Sequence, residues 1–184
     1  MQQLRVAFVP GVTPDKWARV WRERNPRIRL ELQLVEEDAA RAVLDDGTAD
    51  LCLARLPVDL DSPAPLHCVR LYDEQPVVVA GRDHWVAAGE ADQAIPLADL
   101  DDDLLDLDTA VGAEDAVSLA ANGSGVVVLP MSVARLHHRK DVVHRPVEGP
   151  EPTTVALIWL READSDVHQD FVGVVRGRKP SSSR

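Results

Sequence analysis

Apolar and polar positions along the first fifth of the chain predict a strand, a tight turn and a helix. Leu4, Val6, Phe8 and Val9 are apolar and rich in β-forming side chains, and Pro10-Gly11 ends this predicted strand. Thr13 is predicted as the N-cap of the following helix, with Pro14 in its first helical position. Three side chains at helical spacing give this helix one apolar stripe: Trp17, Val20 and Trp21.

The next segments continue the alternation of strands and helices. Residues 27–35 alternate charged residues with Ile28, Leu30, Leu32 and Leu34, which predicts a half-buried strand. Residues 36–46 predict a second helix that ends at Gly47, and the apolar run at 49–54 predicts a buried central strand. Such a β-α-β-α-β order implies parallel strands with helical crossovers on the faces of the sheet.

The remainder of the chain has shorter predicted elements separated by glycine and proline. Strands are expected at 66–72, 76–80, 126–129, 142–147 and 153–160. Helices are expected at 112–121, from Ser132 to His138 and from about Ser165, with one helical turn at 95–100. A strong β-α-β-α-β start followed by a strand–helix finish favours two lobes, the first of them completed by the C-terminal segment.

The composition narrows the class of protein. Of 184 residues 45% are hydrophobic, which is enough for a substantial core, and the net charge is −11. So acidic a chain lacks the clustered Lys and Arg that a nucleic-acid backbone requires, so direct DNA binding by these residues is not expected. No export signal and no membrane-length apolar run is visible, so a cytoplasmic location is expected. The two cysteines, Cys52 and Cys68, are predicted to be buried, reduced thiols.

The first predicted strand and helix also suggest a ligand site. In an open parallel sheet, ligands bind at the carboxyl ends of strands, where free N–H groups at a helix start attract anions. The first hypothesis is therefore a small carboxylate-bearing ligand over Gly11, Val12 and Thr13. Thr13 could cap the helix, contact the ligand or do both. Arg55 could bind a carboxylate bidentately, or could form a surface ion pair with Asp59 or Asp61.

Other polar clusters give weaker functional signals. The acidic run at 99–108 lacks the spacing of a calcium loop and is predicted to be a solvated loop. His137, His138 and His144 are predicted to be surface residues rather than metal ligands, in a basic patch that is solvated or faces a partner. No motif of nucleophilic catalysis is present.

Taken in order, many segments resemble the effector-binding (substrate-binding) domain of LysR-type transcriptional regulators. These segments include LRVAFVPG at 4–11, LELQLVE at 30–36, LDDGTADLCLARLPV at 44–58, LYDEQPVVVAGRDH at 71–84 and AVSLAANGSGVVVLPMSVARLHHRKDVVHRPV at 116–147. No single segment is decisive, but their order along nearly the whole chain is specific to the family.

The resemblance implies an α/β fold of the periplasmic-binding-protein-like class (type II). This fold has two Rossmann-like lobes joined by two crossover strands, and small effectors bind between the lobes. Residues 1–79 and 147–178 would form the first lobe, and residues 80–146 the second, which looks shortened between 105 and 117 relative to the family. Residues 179–184 would be a disordered tail.

The resemblance also assigns ligand-binding residues. The start of the first helix would supply donors to the acid group of the effector, and the end of the third strand and its loop would lie beside them. The second lobe would provide the facing wall. These positions are Gly11, Val12, Thr13, Ala54, Arg55, Pro57, Asp108, Thr109 and Pro130.

The function implied is ligand sensing in transcription control, without the winged helix-turn-helix with which the family normally begins. A small organic acid is the expected effector, and the expected partner is a second copy of the chain or a full-length regulator. No cofactor, metal, enzymatic activity, DNA contact or membrane contact is expected. Two alternatives stay open: a small α/β enzyme using Thr13, Arg55 and an acid from 101–108 on an anionic substrate, and a protein-interaction module that has lost the ligand pocket.

Overall fold

The computed structural model describes residues 2–106 and 112–178. The chain divides into two compact units, the first built from Met1–Tyr72 and Thr154–Arg184 and the second from Asp73–Thr153. The sequence places these boundaries at 79/80 and 146/147 instead. The difference arises because the strand at 76–81 pairs with strands of the second unit. The predicted tail at 179–184 lies outside the described residues.

The regular elements follow one another largely in the order that the sequence predicts. The strands of the described ranges are β1 (Gln2–Phe8), β2 (Ile28–Leu34), β3 (Leu51–Arg55), β4 (Leu66–Glu74), β5 (Pro76–Gly81), β6 (Ile95–Pro96), β7 (Val127–Pro130), β8 (Val142–Glu148) and β9 (Thr153–Leu160). The α-helices are α1 (Asp15–Arg24), α2 (Ala42–Asp45), α3 (Ala113–Ala121), α4 (Met131–Leu136) and α5 (Asp166–Val175). Short 3-10 turns cover Glu37–Ala39, Trp85–Ala88, Leu97–Leu100 and Arg161–Ala163.

The first unit contains a five-stranded sheet in the order β2-β1-β3-β9-β4. β1 runs parallel to both β2 and β3, which confirms the parallel start that the sequence predicts. β3 lies in the middle of the sheet, is buried along its whole length, and pairs antiparallel with β9. The carboxyl ends of β1, β2 and β3 therefore lie at one edge of the sheet.

The core of the first unit combines aliphatic strand residues with aromatic residues from the helices. Trp21 on α1 and Phe171 on α5 are fully buried, and their ring centroids are 5.5 Å apart. The indole N–H of Trp21 donates a hydrogen bond to the carbonyl oxygen of Ile28 at 3.3 Å. Trp17 and Val20 pack against the same core, so the predicted stripe on α1 is confirmed. This packing fixes α1, and with it the turn that precedes α1.

Three local predictions for the first unit are wrong. The first helix begins at Asp15 with Pro14 in the cap position, so Thr13 is not its N-cap. Residues 36–46 form a 3-10 turn and the short α2 rather than one helix. Leu34 is 59% exposed although the alternation predicts it buried, because it is the last residue of an edge strand.

The second unit contains a four-stranded sheet in the order β6-β8-β5-β7. All residues of β5 are buried. β5 pairs antiparallel with both β7 and β8, whereas β6 runs parallel to β8. Its two apolar clusters consist of aliphatic residues, with Val77, Val79 and Ala116 in one and Val78, Val86 and Leu100 in the other.

Helix ends in the second half of the chain follow the predictions in part. α5 begins next to Ser165, as the sequence predicts, and the hydroxyl of Ser165 caps it by accepting the backbone N–H of His168 at 3.5 Å. α4 begins at Met131, so Ser132 lies inside its first turn and is not its cap. Residues 95–96 form β6 before the 3-10 turn Leu97–Leu100, where the sequence predicts only a helical turn.

Candidate functional site

The candidate site is the edge of the first sheet where β1, β2 and β3 end. Two backbone hydrogen bonds fix these strand ends relative to one another. The N–H of Val9 donates to the carbonyl oxygen of Leu53 at 3.1 Å, and the N–H of Val35 donates to that of Phe8 at 3.0 Å. The segments that leave the three strands are therefore held close together.

The segment leaving β1 is a tight turn that leads into α1. Gly11 has φ 84°, a backbone conformation that favours glycine, and the N–H of Val12 donates to the carbonyl oxygen of Val9 at 3.2 Å. Val12 is buried whereas Thr13 is exposed. The Val12 N–H is used to close the turn. Within this predicted cradle, Gly11 and Thr13 are therefore the residues left to contact a ligand.

Arg55 ends β3 and connects the segments that follow all three strands. Its side chain is only 3% exposed. Nη1 donates a hydrogen bond to Oε1 of Glu37, on the 3-10 turn after β2, and Nη2 donates to the carbonyl oxygen of Pro10, after β1, at 3.1 Å. The guanidinium therefore lies at the meeting point of the three strand ends.

The predicted ion pair between Arg55 and Asp59 or Asp61 is wrong, since the acid on Nη1 is Glu37. Asp59 instead accepts backbone hydrogen bonds from Asp61 at 3.0 Å and Ser62 at 3.1 Å. These bonds lower the pKa of Asp59, because they stabilise its charged form. Asp59 thus serves the local turn of the loop after β3.

Arg41 on the outer side of this loop holds the loop in place. Its guanidinium donates to the carbonyl oxygens of Asp59 at 2.8 Å and Ala64 at 2.5 Å, and to the carboxylate of Asp45 at 2.9 Å. Pro57, in the same loop, is exposed. Ala54 is fully buried and pairs with Ala156 of β9. Of these two predicted contacts, only Pro57 presents its side chain to solvent.

The predicted residues of the second unit are described in part. Pro130 is partly buried at the end of β7, opposite Pro76 of β5. The N–H of Met131, the residue that follows, donates to the carbonyl oxygen of Gln75 at 3.0 Å. Asp108 and Thr109 lie outside the described residues. The structure thus gathers Gly11, Val12 and Arg55 around Pro10, and it describes Pro130 in the other unit.

Glu37 is the functional candidate that the sequence did not reveal. It lies in the acidic run VEEDAA, where neither helical nor strand periodicity distinguishes it. The usable signal was topological: Glu37 lies three residues after β2, Arg55 is the last residue of β3, and the two strands flank β1. The carboxyl ends of these strands lie at the same end of the sheet, which brings the two side chains together.

Charged residues in the second unit lie mainly at its surface. Arg139 pairs with Asp141 at 2.8 Å and donates to the hydroxyl of Ser118 at 3.1 Å. Burial, and then the nearby side chains of Arg135, His138 and Arg145, lower the pKa of His144. Within residues 2–106 and 112–178 no group of three or more His, Cys, Asp or Glu side chains is arranged to hold a metal ion.

Neither a reactive thiolate at Cys52 nor a membrane-spanning helix is found among the described residues. Cys52 and Cys68 are both free thiols, the first buried and the second half-buried. Burial raises the pKa of Cys52 to about 12, so this thiol is not a reactive thiolate at neutral pH. None of the helices in the part of the chain that the structure describes has the length and apolar character needed to cross a membrane.

Comparison with protein families gives one match to this chain. The family model described as the LysR substrate binding domain matches residues 1–108. No curated protein sequence matches the chain.

Solved structures share the fold over almost the whole chain. The BenM effector binding domain with its effector benzoate superimposes with a TM-score of 0.78 at 18% identity, covering 96% of this chain and 91% of that one. Full-length BenM gives 0.77 at 17% identity, with 99% and 71% covered. A variant of the OxyR regulatory domain from Pseudomonas aeruginosa gives 0.72 at 22% identity, with 96% and 95% covered. These likenesses confirm the predicted periplasmic-binding-protein-like α/β fold.

Proposed function

Because this chain belongs to the family of LysR substrate binding domains, we propose that it senses a small organic acid at the edge of its first sheet. Domains of this family bind effectors and serve regulation rather than catalysis. The proposal adds the chemical class of the effector and the residues that contact it.

The observation that carries the proposal is the position of Arg55. Its guanidinium is buried at the meeting point of three strand ends and is fixed to the carbonyl oxygen of Pro10 at 3.1 Å. The turn at Gly11 and the start of α1 follow Pro10 directly. A guanidinium beside a glycine turn and a helix start suits a carboxylate, which accepts charge-assisted hydrogen bonds from all three.

The proposed contacts in the first unit are Gly11, Val12, Thr13, Ala54, Arg55 and Pro57. Asp108, Thr109 and Pro130 stay predictions from the family resemblance. In the first unit, Arg55 carries the charge that selects an acid. Val12 and Ala54 are buried, so they support the site by packing and main-chain geometry. BenM, whose effector is benzoate in the solved complex, supports an aromatic acid as the first probe.

The remaining parts of the proposal concern partners and place. A second copy of this chain, or a full-length regulator, would receive the signal in the cytoplasm, and no cofactor or metal takes part. An enzyme acting through Thr13 and Arg55 is less well supported, because exposed Thr13 makes no hydrogen bond to another described residue that could act as its base. The sensing function is therefore better supported than the enzyme alternative.

A melting-temperature screen with small aromatic and aliphatic acids tests this function. A ligand that binds only the native state stabilises it by roughly 2.7 kcal/mol at one hundred times its dissociation constant. We expect at least one acid to raise the melting temperature of the wild type by several degrees, with no shift for its amide. The variant Arg55→Met should lose the shift. If no acid shifts the wild type, or if the variant responds equally, the proposed function is wrong.

A further inference from the structure

We propose that Glu37 occupies the anion position of the effector site: its carboxylate holds the guanidinium of Arg55 until a ligand carboxylate replaces it. The inference rests on the proposed function, because it concerns the same Arg55 and adds the group that competes with the ligand. Glu37 would then make the site prefer anionic ligands, and its competition would weaken the affinity of the site for them.

The two partners of this ion pair differ greatly in exposure. The side chain of Arg55 is 3% exposed, whereas that of Glu37 is 52% exposed. Displacing Arg55 would require rebuilding the end of the central strand. Glu37 already shares its carboxylate with water and lies on a three-residue turn, so it can rotate into solvent at a small cost in desolvation. An exchange of partners would therefore move Glu37 and leave Arg55 in place.

A separate contact keeps Arg55 oriented during such an exchange. Nη2 donates to the carbonyl oxygen of Pro10 at 3.1 Å, and this hydrogen bond does not involve the Nη1 that contacts Glu37. The guanidinium therefore stays fixed to the turn that carries Gly11 and Thr13 whichever carboxylate Nη1 contacts. When Glu37 leaves, Nη1 becomes available on the same guanidinium whose Nη2 contacts the turn of the proposed ligand cradle.

The exchange also explains why the ligand should be an anion. A ligand carboxylate accepts the same Nη1 hydrogen bond as Oε1 of Glu37, so the charge opposite the buried guanidinium is unchanged. A neutral ligand would replace a charge-assisted hydrogen bond with a weaker one, and displacing Glu37 would then cost free energy. The affinity of the site for an acid is therefore set by a difference in free energy. It compares the interaction of Arg55 with the ligand carboxylate and its interaction with the carboxylate of Glu37.

The first test compares acid binding with and without the competing charge. Glu37→Gln should bind sodium benzoate roughly tenfold more tightly than the wild type, about 1.4 kcal/mol, by isothermal titration at constant ionic strength. Its affinity for the neutral probe benzamide should not change. Asp38→Asn, at an exposed acid on the same turn, is the matched control for the change in net charge. No gain in Glu37→Gln, or an equal gain in Asp38→Asn, would overturn the inference.

The second test does not require the effector to be found. Glu37→Ala removes the internal carboxylate and leaves room for a small one, so acetate should raise its melting temperature more than chloride at equal ionic strength. The same acetate should act less on the wild type and should have no specific effect on the double variant Arg55→Met/Glu37→Ala. Circular dichroism shows whether each variant is folded, and Glu37→Gln replaces Glu37→Ala if the latter is not.

The two tests separate failure of the inference from failure of the proposed function. If wild-type protein binds an acid but acetate does not stabilise Glu37→Ala specifically, Glu37 is a structural partner and the inference is wrong. If acetate stabilises Glu37→Ala and no acid binds the wild type, Glu37 does occupy an anion position at Arg55, but no ligand replaces it and the sensing function is wrong.

Discussion

The two units use the same kinds of elements but bring their strand ends together differently. In the first unit β1, β2 and β3 are parallel, so segments far apart in sequence meet at one edge, as Pro10, Glu37 and Arg55 do. In the second unit β5 runs antiparallel to both of its neighbours, so consecutive strand ends fall at opposite edges. The strand ends that meet at Arg55 are therefore those of three adjacent parallel strands, whereas in the second unit β5 lies between β8 and β7 and runs in the opposite direction.

Charge is also arranged differently in the two units. In the first, Arg5 pairs with Asp50 and Arg55 with Glu37, each pair joining separate segments, and Arg41 pairs with Asp45 four residues on. In the second, burial lowers the pKa of His144, and the nearby side chains of Arg135, His138 and Arg145 lower it further. The first unit uses these ion pairs to position the backbone, whereas the second contains a histidine whose surroundings disfavour protonation.

The largest expected effect concerns the cores, since among the described residues the buried aromatic pair Trp21–Phe171 lies in the first unit. Trp21→Ala should lower the free energy of unfolding by about 3–5 kcal/mol, because it removes the contact with Phe171 and leaves a cavity. Val79→Ala in the second unit should cost roughly 1–2.5 kcal/mol, since only two methyl groups are lost. Urea denaturation followed by circular dichroism measures both losses.

Amide hydrogen exchange shows whether each loss stays in its own unit. Trp21→Ala should reduce protection in β1 and β3, and Val79→Ala should reduce it in β5 and β8. If Trp21→Ala lowers the free energy of unfolding no more than Val79→Ala does, the expected contribution of the contact between Trp21 and Phe171 is contradicted.

The smallest expected effect concerns pH and the second unit. The usual pKa of His144 is 6.5, and its pKa is lower in the folded state, chiefly through burial. The unfolded state therefore binds a proton first as the pH falls below 6.5, and the stabilising contribution of neutral His144 is lost from that point downward. His144→Gln should melt with less dependence on pH between 7.5 and 5.5, by on the order of 1 °C.

The control for this pH effect is a histidine of the other unit. His67 packs against Trp159 in the first unit, with ring centroids 5.0 Å apart. His67→Gln should leave the pH dependence of amide protection in the second unit, measured by hydrogen exchange, unchanged. If His144→Gln changes the melting temperature equally at pH 7.5 and pH 5.5, the lowered pKa of His144 does not contribute to the pH dependence of stability.

Periodicity predicted the first sheet well because burial there follows strand and helix spacing. β1, β2 and β3 and the stripe on α1 lie where alternation and helical spacing place them. The errors fall where local chemistry competes with pattern. Pro14 takes the cap position in place of Thr13, and the acidic run after β2 forms a 3-10 turn rather than the start of a long helix.

The candidate site was predictable in part for a similar reason. Gly11 and Arg55 carry local signals, a turn glycine and a charge at the end of a buried strand. Glu37 carries none, because its role depends on the lateral order β2-β1-β3, which no local pattern encodes. Its pairing with Arg55 replaces the predicted pairing with Asp59 or Asp61, which are nearer in sequence but lie in a loop held by Arg41.

The most direct test of the central claim is an NMR titration of the labelled protein with benzoate. The account predicts that the backbone amides of Gly11 and Thr13 and the side-chain Nε–H of Arg55 shift together with one dissociation constant. These shifts should be absent in Arg55→Met and absent when benzamide replaces benzoate. Saturable shifts confined to residues away from the ends of β1, β2 and β3, or equal shifts in Arg55→Met, would contradict it.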